Sequence, residues 1–112
     1  YEWVAHAPIA RDAGVPDATI EAVATGADTD RLDDVEATVV SYGRELLYDH
    51  RISDGTYGAA LDRFGETGVV ELTATVSYYA MLACVLNAFE VLPGEDAQIP
   101  DSLGAAGWTA ER

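Results

Sequence analysis

The feature that most limits how this chain can fold is an 18-residue stretch without a charge, Leu72 to Phe89, bounded by Glu71 and Glu90. Such a run is either a membrane span or a helix that something apolar must cover. Thr73, Thr75, Ser77, Asn87 and two tyrosines interrupt it, and its flanks are acidic where a span favours Lys or Arg. The pattern predicts a buried central helix, with no membrane partner.

The remaining punctuation is helical, and no stretch sustains the alternation of a strand. Tyr1 to Ala13 reads as a first helix stopped by Gly14, and Val15-Pro16 opens a second that closes at Gly26. After the acidic loop 27–31, Asp33 and Glu36 have the spacing of a capping box. The helix they open carries Val35, Val39, Tyr42 and Leu46 on one stripe and ends near Asp49-His50. Ser53 caps a fourth helix that Gly65 stops, and Thr67 opens the apolar fifth, which runs to about Val91 before Pro93-Gly94. The expectation is an all-α domain of about five helices over 1–92. An irregular, extended tail follows over 93–112, anchored by Leu103 and Trp108.

At 112 residues and 49% hydrophobic, the chain can build one small core. Its charge is lopsided: 20 acids face 6 basic residues, all Arg, for a net −14. That surface repels phosphate backbones and anionic lipid, so nucleic acid and membrane surfaces are poor partners. An acidic, Lys-free surface suits solubility in high salt, and a genome that prefers Arg to Lys gives the same composition. A single cysteine, Cys84, rules out an internal disulfide and a thiolate metal cluster. Lying among Ala83, Val85 and Leu86, it reads as a buried, inert thiol. The chain opens at Tyr1 with no leader-like segment. The lone cysteine points to a cytoplasmic setting, and a start at Tyr1 rather than Met points to a fragment or a processed product.

Glu2 and His6 stand four apart, on one face of a helix and one turn from each other. A carboxylate beside an imidazole fixes its tautomer and favours the protonated ring, an arrangement suited to proton transfer. Many solvated helix faces carry the same pair, so the spacing alone also fits a surface role. Pro8, in the same helix, leaves the Val4 carbonyl without its usual partner. Trp3, Tyr79 and Asn87 are candidate substrate contacts. Asn87 is an amide on an apolar helix, with Ala83 and Tyr79 on nearly the same face, and Trp3 could wall a pocket; both also suit ordinary packing. His50, next to Arg51 at a helix end, is explained by the helix dipole. Glu2, His6 and His50 would make a metal set, but nothing in their spacing brings His50 near, so neither metal nor cofactor is expected.

The string around His6 carries more than the pair does. Tyr1-Glu2-Trp3, His6, Pro8-Ile9-Ala10 and Ala13-Gly14 resemble the signature helix of the carboxymuconolactone decarboxylase and alkylhydroperoxidase D-like superfamily. The resemblance continues in order through Ile20-Glu21-Ala22, Arg44-Glu45-Leu46-Leu47 and His50-Arg51-Ile52-Ser53-Asp54. It then runs on through Phe64-Gly65-Glu66, Val69-Val70, Tyr78-Tyr79 and Asn87-Ala88-Phe89-Glu90-Val91, and so covers about 1–92.

This resemblance implies an alkylhydroperoxidase D-like helical bundle that assembles as a homo-oligomer, often a trimer or hexamer. It also implies helices upstream of Tyr1. Peroxidase-type members hold a C-x-x-C pair ahead of the helix His. Here Glu2 takes the place of the second cysteine and Cys84 matches neither, so the chain resembles the decarboxylase-like branch. The implied activity is that of a lyase on a small carboxylated lactone or related acid. His6 would move protons, Glu2 would orient it, and Arg11 or Arg51 would offset the substrate charge. The alternatives are a non-catalytic oligomeric ligand-binding or assembly module, and peroxidase-type activity using a cysteine outside this chain.

Overall fold

The computed structural model describes residues 2–94 and 96–100, and every regular element among them is a helix. In order these are α1 (Glu2–Asp12), α2 (Asp17–Thr25), α3 (Asp34–Arg44), a π-helical turn (Glu45–Asp49) and α4 (Asp54–Ala88). The expected break at Gly65 lies inside α4, where the backbone swings to φ 68, ψ 177. Only glycine adopts that region without strain, so Gly65 divides α4 into two arms, 54–64 and 66–88. The five expected helices are therefore present, two of them as arms of one element. Tyr1, Leu103 and Trp108 lie outside the described residues.

Local chemistry sets the boundaries. Gly14 and Gly26 turn left-handed at φ 88 and φ 69 and close α1 and α2. The Asp33 carboxylate accepts from the amides of Val35 and Glu36, both at 2.9 Å. The second half of the expected capping box is not made, because Glu36 has a better donor: Thr19 Oγ1 gives it a 2.6 Å hydrogen bond from α2. Arg44, at the end of α3, donates to the carbonyls of Ala22 and Ala27 at 2.9 and 2.8 Å. One guanidinium thus satisfies the C-terminus of α2 and holds α3 beside it. At its far end α4 stops at Ala88 rather than Val91. Glu90 turns to φ 52, and the Val91 amide folds back onto the Leu86 carbonyl at 2.9 Å.

The core is small and lies where α3 crosses the elbow of α4. Tyr42, Ala60 and Val69 are buried there, with Leu46, Ile52, Leu61, Phe64 and Leu72 packed around them. Thr73 Oγ1 donates to the Val69 carbonyl at 2.7 Å, which leaves its lone pairs for the Tyr42 hydroxyl at 2.8 Å. Of the expected α3 stripe, Val35 and Val39 remain exposed, because α3 turns Asp34, Ala37, Thr38 and Ser41 toward the first arm of α4 instead. The expected burial of the second arm, by neighbouring subunits as well as by this chain, is not reached within one chain: only 6% of the residues in its apolar window are buried, and Val70, Tyr78, Met81 and Val85 are exposed. With three short helices beside it, the chain lacks the surface to cover it. By length and apolarity alone, α4 could cross a membrane.

The π turn is tied to the start of α4 by one carboxylate. Glu45 accepts from Thr56 Oγ1 at 2.6 Å, from the Ser53 amide at 2.6 Å and from Ser53 Oγ at 3.2 Å. The Thr56 hydroxyl, with the Ser53 amide next, holds the Glu45 carboxyl below its ordinary 4.5 against the opposing effect of burial. Because the folded value is the lower one, this support is complete above the unfolded value and is lost as pH falls through the folded one. Glu45→Ala should therefore lower stability at neutral pH by about 1 kcal/mol. Denaturation curves should show the gap to wild type closing as the pH is taken below 4.5. A gap that stays constant into acid would contradict this role.

Candidate functional site

The first turns of α1 carry Glu2 and His6 on one face, and the second arm of α4 lies opposite them. His6 Nδ1 stands 3.0 Å from the Glu2 carbonyl oxygen and 3.1 Å from Glu2 Oε2. A carbonyl can only accept, so Nδ1 carries a proton and donates it. Oε2 is shut off from water and has no hydrogen-bond partner among the described residues, although it lies 3.1 Å from Nδ1. Nε2 has no hydrogen-bond partner among the described residues and is the nitrogen left for a ligand.

From α4, Tyr79 meets the His6 ring edge to face, with centroids 5.0 Å apart and planes at 79°. Tyr78 meets Tyr79 in the same way, at 5.4 Å and 82°. Such contacts fix ring orientation without taking up a polar atom. Together with Leu82, Val85 and Leu86, these residues line an open cleft of about 380 Å³. Its floor is apolar, its carboxylate and imidazole are the Glu2–His6 pair at one corner, and His6 keeps 46% of its side-chain surface exposed.

Three of the five expected site residues, Glu2, His6 and Tyr79, are brought together. The other two are not. Trp3 is half-buried on another side of α1, about 100° round the helix from Glu2. Asn87 is exposed and off the lining. Eight residues at about 100° each carry it some 80° past Tyr79, whereas Leu86, seven on, returns to within about 20°. Leu82, Val85 and Leu86 could have been found from that same arithmetic, counted forward from the tyrosine pair. Arg11 is bound to Asp17 at 2.9 Å, and neither it nor Arg51 lines the cleft. His50 ends the π turn in a left-handed conformation, apart from Glu2 and His6. No group of three His, Cys, Asp or Glu side chains could hold a metal among the described residues. Cys84 is exposed on α4, not buried as expected, because the arm that carries it is uncovered.

Comparison of the chain with protein-family models, curated proteins and solved structures gives no match. The arrangement of His6 is itself open to test. Nitrogen NMR shifts of the neutral ring should report the proton on Nδ1, the less common tautomer in free histidine. A neutral His6 protonated on Nε2 would show that Glu2 does not hold the ring as described.

Proposed function

We propose that this chain is a carboxymuconolactone decarboxylase-like enzyme, in which His6 moves protons on a small carboxylated lactone or related acid and Glu2 orients it. The observation that carries this reading is the Glu2–His6 pair set against Tyr79 at the mouth of an apolar cleft. With Nδ1 held by Glu2, the ring can exchange a proton only at Nε2, the geometry a general acid–base requires. If a substrate loses carbon dioxide, the electrons of the broken bond enter the lactone carbonyl as an enolate. Nε2, protonated beforehand by the substrate's own carboxyl group, then returns that proton to complete the product carbon.

In this reading the fold is of the alkylhydroperoxidase D-like kind and the protein works as a cytoplasmic homo-oligomer, a trimer or hexamer. The exposed second arm of α4 supports the assembly, since apolar surface of that extent on a small domain usually belongs to an interface. The same arm supports a second reading, a non-catalytic ligand-binding or assembly module built on this fold.

The two readings separate on one variant. With a substrate found by screening small lactones and keto acids, His6→Ala should lower turnover by roughly 10²- to 10⁴-fold, with the melting temperature little changed. Undiminished turnover in His6→Ala would remove the catalytic role and leave the module.

A further inference from the structure

The second arm of α4 carries a pattern that the cleft does not use. Val70, Ala74, Ser77, Met81, Cys84 and Ala88 recur at spacings of 4, 3, 4, 3 and 4, and all six are exposed, Val70 at 68% and Met81 at 53%. At about 100° per residue they fall within about 40° of one line along the helix. That line is opposite Tyr79, which faces His6 of α1. None of the six is charged, and the spacing averages about 3.5 residues, that of a coiled-coil seam.

The spacing is also the same read from either end. Two copies laid antiparallel about a two-fold axis at the middle of the arm therefore meet layer by layer. Val70 rests on Ala88 of the second copy, Ala74 on its Cys84, and Ser77 on its Met81. Each layer sets a larger side chain on a smaller one, as close packing requires. A parallel pair would set Met81 on Met81 and Ala74 on Ala74, crowding one layer and opening a void in another. Opposed helix dipoles favour the antiparallel pair as well. The Ser77 hydroxyl, which the seam would cover, can donate to the Thr73 carbonyl, as Thr75 Oγ1 does to that of Glu71 at 2.8 Å.

A foreign helix makes no demand that the stripe be symmetric, and a second copy does. Chains of net −14 repel one another over most of their surface, and this uncharged strip is where that repulsion is least. The seam is about 27 Å long at about 1.5 Å per residue. With its flanks it engages about a dozen residues a side, which bury roughly 800–1,000 Å² in total at the average for known interfaces. That suffices for a pair of modest affinity or for one contact of a larger assembly.

We propose that the second arm of α4 is a two-fold interface, along which a second copy lies antiparallel from Val70 to Ala88. The inference rests on the homo-oligomer of the reading above and on no catalytic step. Within that reading it selects the hexamer, because a two-fold contact belongs to a dihedral assembly and a ring of three has none.

Cysteine crosslinking on the full chain tests the register. Under mild oxidation Ala74→Cys should give a covalent dimer, and peptide mapping should show the introduced thiol joined to Cys84. Wild type should crosslink little, because its Cys84 faces Ala74 of the second copy. If circular dichroism shows Ala74→Cys unfolded, the double variant Ser77→Cys/Met81→Cys reads the next layer. Light scattering gives an independent measure. Met81→Glu should halve the mass found for wild type in about 1 M salt, where the Debye length is about 3 Å and repulsion is screened. A Cys84-to-Cys84 bond in wild type would overturn the proposal in favour of a parallel pair. An oligomer with neither the mixed disulfide nor the loss of mass would keep the assembly and remove this seam, and a monomeric wild type in that salt would remove both.

Discussion

The shortage of cover for the second arm of α4 governs the rest of this structure. Covering an uncharged helix of that length takes more apolar surface than three short helices supply. The fold therefore spends its contacts at the elbow, where Tyr42, Ala60 and Val69 close the core and the Tyr42–Thr73 hydrogen bond fixes the arm to α3. Beyond that point the arm runs outward, and α1 reaches it through His6 and Tyr79. The cleft exists because the arm is only partly covered. A fully packed arm would leave no room beside His6.

That origin explains the character of the site. Its polar corner comes from α1 alone, where a four-residue spacing stacks carboxylate and imidazole. Its apolar wall comes from α4 alone, where tyrosine and leucine recur at helical spacing. Division of labour of this kind needs little from the loops, and the two left-handed glycines at α1 and α2 serve mainly to turn the chain back. Glu45 and Arg44 do comparable work for the frame: each satisfies groups from a neighbouring element and so sets the order of packing.

Local chemistry was legible in the sequence, and cover was not. The caps at Asp33 and Ser53 and the stops at Gly14, Gly26 and Gly65 depend on residues a few positions away, so each could be read directly. The Glu2–His6 pair is local in the same sense. Failures came where an outcome depended on distant partners. Cys84 and the arm around it read as buried because apolar composition implies cover, without saying whether this chain provides it. Asn87 was misplaced by the drift of 3.6 residues per turn over two turns, and Glu36 left its capping role for a hydroxyl on another helix. The π turn at Glu45–Asp49 left no sequence signal beyond the end of a helix.

The central claim is that α1 lies on the second arm of α4 with the His6 ring edge-on to Tyr79, forming the cleft. Aromatic NOE spectroscopy in solution addresses it most directly. At a centroid separation of 5.0 Å, the His6 ring protons should show cross-peaks to the Tyr79 ring. These should vanish in Tyr79→Ala, while cross-peaks between Tyr42 and Thr73 at the core persist. A His6 ring with no cross-peak to Tyr79, in protein whose core signals are intact, would separate α1 from the arm and contradict the account.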